Sequence, residues 1–242
     1  MRIAHITDIH VMEPPRFTQL WGKRAMGTVN LFVLGRKSKF SRRVQEALAE
    51  SVLAAEPDAV LFTGDATAQA TDEEFQSFRE LYGPVLSRQP SAVIPGNHDT
   101  YTQRSYRGRS IENHLGEWTG EGQWPRLHLL SDKLACVAVD ACRAHMTSSG
   151  KVDAAQLQRL DKMLGASAVQ GRELFVLIHY PLRNRRGDPY GPPARALSNA
   201  GEVEKVLLKH AHRIRAVLHG HEHHGYRTKL GSGERSIDIL NP

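Results

Sequence analysis

Cysteine is scarce in this chain, and its scarcity rules out two ways of holding a protein together. Cys136 and Cys142 are the only two in 242 residues. They lie six positions apart around one apolar run, too few for a disulfide scaffold and poorly spaced for structural zinc. They read as buried free thiols. No uncharged apolar run approaches the roughly 18 residues of a membrane-spanning helix. The N-terminus lacks the basic, apolar and small-residue order of a signal peptide, since Met1 to Thr7 enters a strand-like pattern directly. A soluble, cytoplasmic protein is expected. There is no internal repeat and no low-complexity tract. Acidic residues are missing from one long stretch. Between Glu13 and Glu46 the chain carries Arg16, Lys23, Arg24, Arg36, Lys37, Lys39, Arg42 and Arg43 without a single acid, and the formal charge of +6 becomes −2 once these eight are set aside. The basic character is therefore local, suited to an anionic partner or surface rather than to general nucleic-acid binding. Trp21, Trp118 and Trp124 are scattered, so no basic-aromatic platform for single strands is evident, which weighs further against nucleic acid.

With 40% apolar residues, the chain can bury a large core, and one domain over 1–242 is expected, with a basic and apolar insertion at about 14–40. Short apolar, strand-like runs recur at Arg2–Thr7, Ala59–Thr63, Ala92–Ile94, Leu134–Val139, Leu174–Ile178 and Ile214–Leu218. Helical patterns stand between several of them: Ser41–Ala55 with Val44, Leu48 and Val52 on one face, Asp72–Leu86, Asp153–Leu164 with Leu157, Leu160 and Leu164, and Ser198–Ala211. Alternating strands and helices predict a layered α/β fold. The tail, Gly225–Leu230 and Arg235–Leu240 about a Gly-Ser-Gly turn, predicts an antiparallel hairpin, so a purely parallel sheet is excluded. Arg16–Lys39 and Arg183–Arg195 fit neither period and read as loops with a functional task.

Chemistry concentrates at strand ends. Asp8-Ile9-His10, Gly64-Asp65, Gly96-Asn97-His98-Asp99, His179 and Gly220-His221-Glu222-His223 each follow a predicted strand. The carboxyl ends of such strands form one rim, so residues far apart in the chain meet there. Glycine ahead of Asp65, Asn97 and His221 is expected to let the backbone turn sharply. Oxygen and imidazole donors together suit Mn, Fe, Co or Zn, and seven of them exceed what one ion uses. Two ions sharing a carboxylate would use them all, the arrangement that serves in-line phosphoryl displacement. Of the 13 histidines, His5, His114, His128, His145, His210 and His212 lie outside these motifs and read as structural. His219 and His224 flank the last one, and His219 is a candidate to support the site from behind.

These motifs, in this order from Asp8 to His223, resemble the calcineurin-like metallophosphoesterase family. The resemblance, with the mixed strand pattern, implies a four-layer αββα sandwich of two mixed β-sheets flanked by helices. It implies that Asp8, His10 and His223 hold one metal, that Asn97, His179 and His221 hold the other, and that Asp65 bridges them. The reaction it implies is hydrolysis of a phosphodiester by a metal-bridging hydroxide. His98 then faces the substrate as phosphate ligand or general acid, with Asp99 orienting it through its other nitrogen. Arg183, Arg185, Arg186 and Arg195 are candidates to gather substrate phosphate. The insertion interleaves its bases with Phe17, Leu20, Trp21, Met26, Leu31, Phe32, Val33 and Leu34. It reads equally as a segment resting on an anionic membrane or gripping an acyl chain, or as a lid packed on the domain. It is reminiscent of lids in family members that hydrolyse UDP-2,3-diacylglucosamine, a lipid-linked pyrophosphate, at the inner membrane surface. An inactive scaffold on the same fold is the remaining alternative, disfavoured because no ligand is missing.

Overall fold

The computed structural model describes residues 1–14, 16–20, 22–28 and 40–242, and of Glu234 the backbone only. Trp21 and the 29–39 run, with Leu31, Phe32, Val33, Leu34, Arg36, Lys37 and Lys39, lie outside the described residues, and with them most of the reading of the insertion as lid or membrane segment. At its near flank, a short helix α1 (Lys23–Thr28) forms where the sequence showed no period, and Phe17 stands 88% exposed. No helix among the described residues is long and apolar enough to cross a membrane.

Strands β1 (Ile3–Ile6), β2 (Ala59–Phe62) and β3 (Ser91–Val93) form a small sheet that is parallel throughout its described part. The larger sheet runs β4-β5-β6-β7-β9-β8. Its members are β4 (Arg126–Leu129), β5 (Leu134–Val139), β6 (Glu173–Ile178), β7 (Ile214–Leu218), β8 (Tyr226–Leu230) and β9 (Ile237–Asn241). Its centre is parallel and both edges are antiparallel, so the expected hairpin is the β8-β9 pair. Mixed strand direction is thus confined to this larger sheet.

Three apolar clusters set the layers. Helices α2 (Arg42–Ala54), α3 (Asp72–Ser87) and α5 (Ser110–Thr119) pack on the outer face of the small sheet through residues such as Val52, Phe75, Phe78 and Leu115. Helices α6 (Ala154–Gly165) and α7 (Ala200–Lys209) cover the larger sheet through Leu160, Leu164, Val203 and Leu207. Leu61, Ile94, Cys136, Leu177 and Leu218 fill the space between the sheets. The result is the four-layer αββα order. Each fully buried Leu or Phe contributes about 1.5–3 kcal/mol of transfer free energy, and the all-apolar strands β2 (AVLF) and β5 (LACVAV) are buried along their whole length because a layer covers each face. Thr71 and Glu74 close a capping box at the start of α3, which fixes where that helix begins.

Besides α1, three elements escaped the sequence reading: the short helix α4 (Gln103–Arg107), helix α5 and the edge strand β4. Helix α2 was read, but two of the three residues of its expected face point outward. The face of α2 that points inward is Gln45, Ala49 and Val52, while Val44 is 67% and Leu48 38% exposed. The cause is Gln45, whose side-chain amide donates to the Ile9 carbonyl at 2.8 Å while its backbone carbonyl accepts from the Tyr82 hydroxyl. A satisfied polar residue holds that face in, and it grips the loop that carries Asp8 and His10.

Candidate metal centre

All seven expected ligands come together. They leave the carboxyl ends of β1, β2, β3, β6 and β7, at the rim where the two sheets meet. The backbone there is strained: Asp8, His10, Asp65, His221 and His223 all have positive φ, between 49° and 74°. Such values are rare for residues with a Cβ and cluster at functional sites. Of the three glycines ahead of the ligands, only Gly64 needs positive φ, at 97°. Gly96 and Gly220 serve instead by lacking a side chain, since a Cβ on either would overlap the Asp65 or Asp8 carboxylate. The glycines make room, and the ligands themselves make the turns.

Asp65 stands between two groups of donors. Its Oδ2 is 3.6 Å from His10 Nε2 and 3.4 Å from His179 Nε2. On the first side, His223 Nε2 lies 3.3 Å from Asp8 Oδ1 and 3.2 Å from His10 Nε2. On the second, His179 Nε2 lies 3.3 Å from Asn97 Oδ1, and the His221 ring centroid is 5.2 Å from that of His179. Asp8, His10 and His223 have donor atoms mutually within 4.8 Å, as do Asp8, Asp65 and His179. The buried Asp8 Oδ1 and His221 Nε2 make no hydrogen bond among the described residues. Orphaned acceptors of this kind are costly unless a cation takes their lone pairs. His179 donates Nδ1–H to the Thr63 carbonyl at 2.7 Å, which leaves Nε2 as a lone pair aimed inward.

The electrostatics agree. Burial works against charge here, yet the imidazoles around Asp65 and Asp8 hold both carboxyls well below the usual carboxylate range. In return, burial notwithstanding, the Asp65 carboxylate draws His10 upward and His179 up to about 9. Protons on these imidazoles stand where cations would supply the compensating charge. Burial and the neighbouring His179 push His221 down to about 3, so it offers a free lone pair. The donor set and its orphaned atoms fit a pair of metal ions.

His98 sits beside the ligands, with its donor atom within 4.8 Å of those of His10 and Asp65. The expectation that Asp99 orients it is corrected. Asp99 is wholly buried and accepts from the amides of Asp65 (2.8 Å), Ala66, Gly96 (2.9 Å) and Thr67 (2.9 Å), tying the β2 and β3 loops together. His98 instead donates Nδ1–H to the Ala68 carbonyl at 2.6 Å, and its ring is stacked on Tyr101. Burial lowers it to about 4, leaving it neutral in the protein alone.

The arginines divide. Arg195 lines the metal cleft, a cavity of about 340 Å³ shared with Phe40, Asn97, His98 and Ser148. Arg183 turns away and pairs with Glu204 at 2.5 Å, while Arg185 and Arg186 are exposed and do not line that cleft. His219 is buried behind the rim, bonded through Nδ1 to the Gly220 carbonyl and to no ligand side chain. His5 bonds Thr63, His114 bonds Asp72 and His210 bonds Asp161, structural tasks as expected. Sequence reading missed Phe40, which packs on His10 at 4.7 Å between ring centroids, and Tyr190, whose hydroxyl donates to Glu222 between the last two ligands. Neither residue belongs to a motif or a periodic run.

Comparison with known proteins follows the same lines. A family model described as calcineurin-like phosphoesterase matches residues 1–225. A probable cyclic nucleotide phosphodiesterase of Pseudoalteromonas sp. (strain SM9913) is 25% identical over 241 residues, spanning 99% of this chain and 76% of that protein. A probable glycerophosphodiester phosphodiesterase of Arcobacter nitrofigilis is 30% identical over 125 residues, 52% of this chain and 42% of that one. The crystal structure of a dimetal phosphatase from Danio rerio superposes with a TM-score of 0.62 at 13% identity, covering 99% of this chain and 86% of that one, a likeness of fold.

Proposed function

The chain belongs to the calcineurin-like phosphoesterase family, and from that premise we propose that it hydrolyses small phosphodiesters at a pair of metal ions, acting as a single catalytic domain. The observation that carries this reading is the position of Asp65, whose Oδ2 lies 3.6 Å and 3.4 Å from imidazoles of the two donor groups. Asp8, His10 and His223 would hold one ion, and Asn97, His179 and His221 the other. Mn, Fe, Zn and Co all suit these donors. Bound there, the pair would supply an activated water and neutralise charge developing on the phosphate oxygens. The protein's own contribution is orientation. Thr63 fixes the His179 tautomer, Asp99 locks the two loops, and Ala68 and Tyr101 hold the His98 ring in the cleft wall. His98 would contact a phosphate oxygen, or give a proton to the leaving oxygen once a substrate anion raises its affinity for one. Arg195, on the cleft wall, would meet the other phosphate oxygens.

Diesters are favoured because the two relatives described above carry phosphodiesterase names, and an alkoxide leaving group gains from a nearby acid. The test is metal analysis with a chromogenic diester and its monoester, before chelation and after readdition of Mn²⁺. Two ions per chain and rescued diester turnover are expected. No rescue by any divalent metal would instead make this an inactive scaffold.

A lipid-linked pyrophosphate is a second reading, with peripheral contact to an anionic membrane through 16–43. It draws on the exposure of Phe17 and Met26 beside Arg16 and Lys23. Turnover of nucleotide diesters alone, with or without detergent, would dismiss it.

A further inference from the structure

A second cavity, of about 480 Å³, lies against the other side of the loop that carries Asn97 and His98. Pro95 and Thr100 line it, whereas Asn97 and His98 line the metal cleft, and the two cavities have no lining residue in common. Its charge is uneven in a particular way. Of its acids, Glu112 is engaged by Arg109, Arg126 and the Trp124 indole N–H, and Asp153 is spent capping α6. Burial pushes the Asp140 carboxyl up to about 7, so it sets less than a full charge against an anion. Its cations are less committed. Among the described residues, Arg143 donates only to the Lys151 carbonyl and Arg159 only to the Trp124 carbonyl, and Lys151 has no ion-pair partner. Three positive side chains therefore line the cavity without an ion-pair partner among the described residues, set against Asp153 and a partly protonated Asp140.

The walls supply a second kind of contact. The Tyr106 ring is 40% exposed at the cavity, and Trp124 lies beside it with the Arg126 guanidinium 3.8 Å from its ring centroid. Forked guanidinium donors suit phosphate, and aromatic walls suit a flat ring. We propose that this cavity is a second ligand site, separate from the metal centre, that takes a phosphorylated small molecule with a planar ring. Arg143 and Lys151 would hold the phosphate, and Tyr106 and Trp124 would hold the ring. The proposal stands whether or not the metal centre acts on diesters, because no residue is common to the two sites.

Lys151 makes the idea directly readable. The metal-loaded protein is acetylated with a lysine-selective reagent at rising AMP concentration, and each lysine is followed by mass spectrometry. AMP at millimolar concentration is expected to protect Lys151, while Lys205, exposed on α7, stays reactive. Arg143→Ala should raise the AMP concentration for half protection up to about fivefold, the upper end for an exposed charge contact screened by water. Arg143 is exposed, and an unchanged thermal melt will show that the variant folds. Adenosine and inorganic phosphate should each protect far less than AMP. Lys151 as reactive in AMP as without it would overturn the proposal, and so would a midpoint unmoved by Arg143→Ala. Protection by phosphate alone at the same concentration would overturn the ring contact.

Discussion

The two halves of the metal centre use the same kinds of side chain and hold them by different means. His179, His221 and Asn97 are buried, and His179 is pinned by a neutral hydrogen bond to the Thr63 backbone. Asp8, His10 and His223 all sit on left-handed backbone, as only His221 does in the deep half, and the His223 side chain is 43% exposed. The deep half is organised before a cation arrives. The open half is organised by strained loops, and at His223 it is open to water. Similar donor sets should therefore differ in how firmly they retain an ion, with Asp65 as the one group on which both depend.

Asp65→Ala tests that dependence and has the largest expected effect. Both halves should lose metal, and diester turnover should fall by more than the roughly 10²–10³-fold usual for removing one electrostatic contact. Full metal stoichiometry and rate in that variant would break the comparison at its root. His98→Ala comes next. It should cost about 10²–10⁴-fold in rate with both ions still bound, since general acid–base catalysis contributes on that scale. Unchanged diester turnover would remove His98 from the mechanism.

The difference between the halves is tested by His223→Ala. It should leave one ion per chain, and a mild chelator should strip wild type first to that same one-ion form, read by metal analysis. Loss of the deep ion first would reverse the assignment. Acidity sharpens the point. A metal ligand must be neutral imidazole, and His179 is drawn up to about 9 in the metal-free protein. Its affinity for a cation should then climb as pH rises toward about 9 and level off above it, with protons released on binding below that pH. The stability that protonated His179 gives the metal-free protein runs the other way. It is fully present below its unfolded value of about 6.5 and is lost as pH rises through about 9. A thermal melt of the chelated protein across that window checks the sign.

Much of this was legible in the sequence because each ligand follows an apolar run that can only be a buried strand. Leu134–Val139 and Ile214–Leu218 appear with the predicted bounds, and the rim follows from strand direction. The rest depended on partners that leave no mark in a sequence. Asp99 was read as a helper of His98 because it is the next residue, yet its partners are backbone amides of the β2 and β3 loops. The face of α2 was read from Val44, Leu48 and Val52, of which only Val52 is buried, and was decided by a glutamine that finds the Ile9 carbonyl. Helix α5 went unread: its cap residue Arg109 has φ of 52° and no side-chain bond to the first turn, so no start signal marks it. The second cavity joins Tyr106, Trp124, Arg143 and Arg159, which no motif links.

The arginines give the smallest expected effect and the finest cut through the comparison. Four looked equivalent after His179, but Arg183 is neutralised by Glu204 and only Arg195 lines the cleft, beside the deep half, where its Nη2 lies 3.4 Å from the His221 carbonyl. Arg195 is exposed, so its grip on a phosphate oxygen is screened by water. Exposed ion pairs contribute about 0.2–1 kcal/mol, or about 1.5- to 5-fold in affinity. Arg195→Ala should raise KM by that factor and leave kcat in place, the pattern of a contact made equally in ground state and transition state. Arg183→Ala should leave both constants alone. A fall in kcat beyond tenfold for Arg195→Ala would mean that its guanidinium tightens on the phosphate as the bond breaks. The deep half would then hold the transition state as well as an ion.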